Sequence, residues 1–198
     1  MKVCVSLGIA LLFLAGLSAS AQAPASGLTF VNALRQEEPV DIHYNGVALR
    51  PYPFARGAIS VAFQVPAGDF PVEVKGIDPA PLKFNIPVSP GSSNLAVLAE
   101  KVEKAPDSDE ITRVPSILSV PIAPGTPGQS SFVFANASAR SPLTILTSGK
   151  TLEIPHFGFS APLLADKSVT FSLPDSPDPV TVTVEESGVY IIVVFEDR

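Results

Sequence analysis

Residues 39–54, PVDIHYNGVALRPYPF, return as PLTILTSGKTLEIPHF at residues 142–157. Each segment alternates apolar and polar residues, reaches a two-residue turn ending in Gly46 or Gly149, and continues as a second short apolar run. Alternation with a period of two is the signature of a half-buried strand. Asn-Gly is the strongest short hairpin signal, because a type I′ turn needs positive φ at both central residues. Ser148-Gly149 stands where Asn45-Gly46 does. A β-hairpin is therefore written twice, and the chain is expected to repeat one all-β unit around it.

The other segments fit that expectation. Short alternating runs at residues 28–33, 58–65, 70–75 and 82–88 are separated by Pro, Gly, Asn and Asp. In the run at 58–65, Ile59, Val61, Phe63 and Val65 are expected inward, against Ser60, Ala62 and Gln64. Residues 94–100 and 189–195 are nearly all apolar, as strands covered on both faces are. Phe30-Val31-Asn32-Ala33 returns as Phe134-Ala135-Asn136-Ala137, one residue out of step with the hairpin match. In the second half, Pro162 interrupts the run 159–165 and points to a sheet edge. The 21 prolines are spread along the chain, which suits short strands and excludes long helices. The expected fold is all-β: two tandem antiparallel immunoglobulin-like β-sandwich units of about seven short strands each. Their expected bounds are 28–103 and 131–198, with an acidic, then Pro-rich linker at 104–130. Within that linker, residues 111–128 fit either an extra strand or an extended tether.

A unit of roughly 70 residues buries only about 60% of its unfolded surface, so it is marginal without covalent staples. The two units are therefore expected to dock through an apolar contact. Either half expressed alone should then melt below the whole chain, and equal melting temperatures would refute the expectation.

Residues 1–23 read as a signal peptide. Lys2 gives the positive start, residues 5–17 are apolar, and Ala19-Ser20-Ala21 and Ala21-Gln22-Ala23 are small-x-small cleavage sites. The apolar run is shorter than the about 20 residues a span needs, and no later run is long enough. Cys4, the only cysteine, lies inside this leader. The mature chain is thus expected to carry no thiol, disulfide or cysteine metal site. The formal net charge is -6, and removal of Lys2 makes it more negative still. An acidic chain without a basic stripe argues against nucleic acid and against anionic lipid as partners. The protein is expected to be exported, periplasmic or extracellular, with no membrane span in the mature chain.

The order FVNA, PVDIHYNG and VPAGDFPVEV resembles a bacterial secreted domain family of unknown function. The likeness covers about residues 28–100. It reaches the second unit only weakly, where Thr144 stands in place of Asp41 and Pro162 interrupts the run 159–165. The resemblance implies immunoglobulin-like β-sandwiches, often in tandem on exported or surface proteins. Its motif residues are structural, so it implies no catalytic residue.

Candidate chemistry is thin. Asp41 and His43 point the same way on one strand, but zinc needs a third and usually a fourth ligand, and no spacing supplies one. His156 aligns with Pro53, so the two units cannot share a histidine site. Gly158-Phe159-Ser160-Ala161-Pro162 lacks the last Gly of a nucleophile elbow. Asp107, Asp109 and Glu110 lack the glycine pattern of a calcium loop and read as a solvated spacer. No phosphate-binding Gly-rich loop is present. Asn136-Ala137-Ser138 is a sequon that matters only in a eukaryotic secretory pathway. No catalytic residue, metal or cofactor is expected. One candidate binding patch remains: Tyr52, Phe54, Phe157 and Phe159, in loops after each hairpin. The competing role for these rings, a plug at the end of a sandwich, is the favoured one.

The expected function is that of a non-catalytic binding or structural module at the bacterial cell envelope. Its partner would be a protein, a glycan or another copy of itself. One alternative is an interaction module adding a strand at the run 159–165 or at 111–128. Another is a small hydrolase with an unrecognised site.

Overall fold

The computed structural model describes residues 26–78, 80–104, 111–174, 176 and 178–195. The expected leader and the acidic residues 105–110 lie outside this set. The described chain is all-β, with fifteen strands and no helix, and so no helix long and apolar enough to cross a membrane. It divides into two compact units after Ile122.

The first unit holds β1 (Ser26–Asn32), β2 (Asp41–Tyr44), β3 (Val47–Ala48), β4 (Phe63–Val65), β5 (Gly68–Lys75), β6 (Leu82–Val88), β7 (Ser93–Lys104) and β8 (Ile111–Ile122). They form two sheets, ordered β4-β1-β7-β8 and β3-β2-β5-β6. Leu28, Phe30, Ala96 and Leu98 of the one and Ile42, Phe70, Val72, Val74, Ile86 and Val88 of the other share a core cluster. The second unit holds β9 (Ser130–Asn136), β10 (Leu143–Thr147), β11 (Lys150–Ile154), β12 (Leu163–Ala165), β13 (Ser168–Ser172), β14 (Val180–Thr183) and β15 (Val189–Val194). Its sheets are β12-β9-β15 and β11-β10-β13-β14, again with one cluster drawn from both.

Both hairpin turns have the expected geometry. Asn45 and Gly46 have φ of 48° and 79°, and Ser148 and Gly149 have 46° and 73°, as a type I′ turn demands. Other details depart from expectation. The sheets are not purely antiparallel: β1 pairs with β7, and β9 with β15, in parallel. A parallel pair needs a long crossover, and here most of a unit separates the two strands. Alternation marks a buried face but carries no direction. The segment left open between strand and tether is a strand over residues 111–122, paired with β7 along its whole length.

The run 58–65 does not alternate as expected. Ser60 is buried and Val61 is 77% exposed. Ser60 N–H donates to Phe30 O at 2.9 Å, while its Oγ accepts from Phe30 N–H at 2.9 Å and donates to Val61 O at 2.7 Å. The hydroxyl thus replaces a backbone acceptor and turns the chain, so the ladder resumes only at Phe63. Ser160 repeats the device against Phe134 N–H at 3.0 Å and Ala161 O at 2.8 Å.

The gapless hairpin match also breaks after its turn. Val40 pairs with Phe54 in the first unit, but Leu143 pairs with Ile154 in the second. Leu49 to Pro53 form a longer detour on the first side, where Pro51 and Pro53 supply no N–H for a ladder.

Candidate functional site

Each unit fastens its loops with a buried asparagine at the end of its first strand. Asn32 Nδ2 donates to Phe54 O at 2.9 Å, and its Oδ1 accepts from Leu34 N–H at 3.1 Å. Asn136 Nδ2 lies 2.9 Å from Arg140 O, 3.1 Å from Pro155 O and 3.3 Å from Ile154 O. Its Oδ1 accepts from Ser138 N–H at 3.1 Å and Ser138 Oγ–H at 2.7 Å. A buried amide left unmet is costly, so these side chains fix their loops. The repeated Asn in the sequence was the signal for this clasp.

The backbone frame places the four candidate aromatic residues. Asn32 N–H donates to Ala58 O and Asn136 N–H to Gly158 O; Ile59 bridges Val31, and Phe159 bridges Ala135. Phe157 therefore stands where the first unit has Gly57, and His156 where it has Arg56. The alignment of Phe157 with Phe54, and of His156 with Pro53, is set aside by this register. Phe54 is 0% exposed, a core residue with Arg50 stacked 4.5 Å above its ring, and is not available to a surface patch. Tyr52 is 70% exposed. Phe159 is 40% exposed, and Phe157 is half-buried beside the His156 ring at 5.9 Å.

Phe157 has φ of 55°, in the left-handed region. Gly57 has 75° at the equivalent place, which costs a glycine nothing. A bulky side chain in that region is a true outlier. Gly158 is fixed too: a Cβ there would lie 2.7 Å from Pro155 Cγ and 3.2 Å from Pro155 O. The segment 155–159 is thus a tight turn that presents two phenylalanines around an obligatory glycine.

No protein-family model and no curated protein matches the chain. The site must be read from its own geometry.

Among the described residues, no three His, Cys, Asp or Glu side chains gather as a metal would need. Asp41 pairs across β5 with Lys75, and His43 with Glu73. His43 Nδ1 is 3.3 Å from Gly46 O, and His156 Nδ1 is 2.9 Å from Ser138 O. Tyr190 donates its hydroxyl to Glu186 O at 2.6 Å; burial, then the charge of Glu186, push its pKa above the ordinary phenol value.

Two shallow depressions were missed by sequence reasoning. The first, of about 440 Å³, lies beside the first hairpin turn and is lined by His43, Asn45, Glu73, Lys83 and Asn85, among others. The β2–β5 pairing ends at His43 and Glu73, next to the turn, and Pro71 beyond it offers no donor to extend the ladder. The second, of about 640 Å³, borders the second turn and is rich in hydroxyls, including Thr151, Ser168 and Thr170.

Proposed function

We propose that this chain is an exported pair of tandem immunoglobulin-like β-sandwich units, acting without catalysis as a binding module at the bacterial cell envelope. The resemblance of residues 28–100 to secreted domains of that type supports the reading. So does the use of the buried polar groups Asn32, Asn136, Ser60 and Ser160 in holding loops.

The observation that carries the binding role is Phe157. An L-residue in the left-handed region costs roughly 1–2 kcal/mol. Backbone strain of this kind concentrates at functional sites, and the first unit meets the same turn with a glycine. The side chain of Phe157, next to the exposed Phe159, is what the strain obtains. The turn 155–159 is the contact surface in this reading, and its ligand is a protein or glycan of the envelope. Strand addition at β8 is the second reading. It has a long sheet edge in its favour, but Pro115 and Pro121 interrupt that edge.

Phe157→Gly separates the roles. Relief of strain offsets the lost packing and the added chain entropy, so stability should stay level or rise by up to about 1 kcal/mol. A ring serving only as core would instead cost about 3–5 kcal/mol. Mature protein and variant are each sedimented with isolated envelope fractions. The parent should co-sediment and the variant should lose most of its binding. Equal binding by the variant would remove the turn from the reading, and no binding by the parent would sink the reading itself.

A further inference from the structure

The free edge of β8 has a pattern that the backbone bonds decode. Gly27 N–H donates to Ser92 O and Ala33 N–H to Leu98 O, both at 2.8 Å. In a parallel ladder each residue turns both polar groups the same way, so the even-numbered residues of β7 face β1. The odd-numbered residues of β7 then face β8. Leu95 pairs with Val120 and Val97 with Leu118, so β8 meets them with its even-numbered residues. The odd-numbered residues of β8 therefore aim their N–H and C=O groups at its outer edge. Both prolines of the strand, Pro115 and Pro121, fall in that odd set. Neither removes a bond from the β7–β8 ladder, and both remove donors from the edge.

This edge is long. β8 has 12 residues, ends the sheet order β4-β1-β7-β8, and pairs with no other strand among the described residues. Arg113 is its only charged residue. A long edge of β-branched and apolar residues with so little charge is a template for pairing with another copy of itself. In an antiparallel pair of two β8 edges, outward odd residues must face outward odd residues. Each proline then leaves a carbonyl of the other copy without a donor, inside an interface that excludes water.

We propose that Pro115 and Pro121 are edge guards, and that the surface they block is a self-pairing surface whose occupant would be a second copy of this chain in antiparallel register. Ile111 and Arg113 before the first guard, and Ile117 and Ser119 between the two, keep outward donors, but the prolines cut the edge into runs of two donors each.

The test restores the donors and then removes one again. Pro115→Val with Pro121→Val should self-associate in sedimentation velocity, with each satisfied carbonyl tightening the dimer on the order of tenfold. Ser119→Pro added to that pair should loosen the dimer on the order of a hundredfold, since its N–H also faces outward and is lost from both copies. Both variants should stay folded, and at concentrations too low for association should melt within a few degrees of the parent, because the β7–β8 ladder is untouched. Leu118→Pro, on the inward set, should lower the melting temperature sharply. A double variant that stays monomeric would overturn the proposal. So would a dimer that Ser119→Pro does not loosen, or a parent that already pairs through β8.

Discussion

Asn136→Ala is expected to lower the unfolding free energy by at least about 4 kcal/mol, at roughly 1 kcal/mol for each of the four hydrogen bonds that two amide protons and two acceptor lone pairs can make, with the space left by the amide adding to it. The side chain is 0% exposed, so water does not take its place. Its Nδ2 serves the carbonyls of Arg140, Ile154 and Pro155, and its Oδ1 serves both donors of Ser138. Asn136→Asp tests the donor half alone. It keeps the size and one acceptor, but turns a carboxylate toward three carbonyl oxygens, so it should be at least as harmful as alanine. Asn32→Ala should cost less, about 2 kcal/mol, because one carbonyl and one N–H depend on it. Denaturant titration of the full chain reads all three. Equal losses at Asn32 and Asn136 would show that the extra contacts at Asn136 contribute nothing. A loss below about 1 kcal/mol at Asn136 would show that its loops are held by something else.

These clasps show which parts of the molecule could be read from the chain. The hairpins were legible because Asn45-Gly46 and Ser148-Gly149 impose a dihedral requirement that few residue pairs meet. The asparagines were legible as a repeated motif, although nothing in FVNA says which carbonyls they reach. The nearly continuous apolar runs at β7 and β15 correctly signalled burial on both faces: Leu95, Val97, Ile191 and Val193 are buried along with the core-facing residues beside them. The parallel pairing of β1 with β7 was not legible, since alternation is the same for both directions. Ser60 misled the reading of its strand because a hydroxyl that replaces a backbone acceptor leaves no trace in hydrophobic pattern. The strand at β8 was open because its prolines look like breakers, and only the hydrogen-bond parity shows that they sit where a strand tolerates them.

The candidate site shows the same division, and Phe54 is its sharpest test. Sequence reasoning grouped Phe54 with Tyr52, Phe157 and Phe159 because all four are aromatic residues in the loop after a hairpin, with a plug at the end of the sandwich as the favoured role and a binding patch as the other. The detour from Leu49 to Pro53 changes the register, and Phe54 returns to exchange two backbone bonds with Val40, at 2.7 and 3.0 Å. Its ring enters the core of the first unit. Phe54→Ala should therefore cost about 3–5 kcal/mol, since transfer and cavity terms both apply to a fully buried ring. Phe54→Leu, which refills most of the volume, should recover more than half of that loss. Tyr52→Ala, at a side chain open to water, should stay within about 0.5 kcal/mol of the parent. Thermal and denaturant melts of the three variants decide the assignment. A small loss at Phe54 would return that residue to the surface and reopen the patch as first drawn. A large loss at Tyr52 would mean that the detour is itself packed, and that its prolines serve the core rather than the loop.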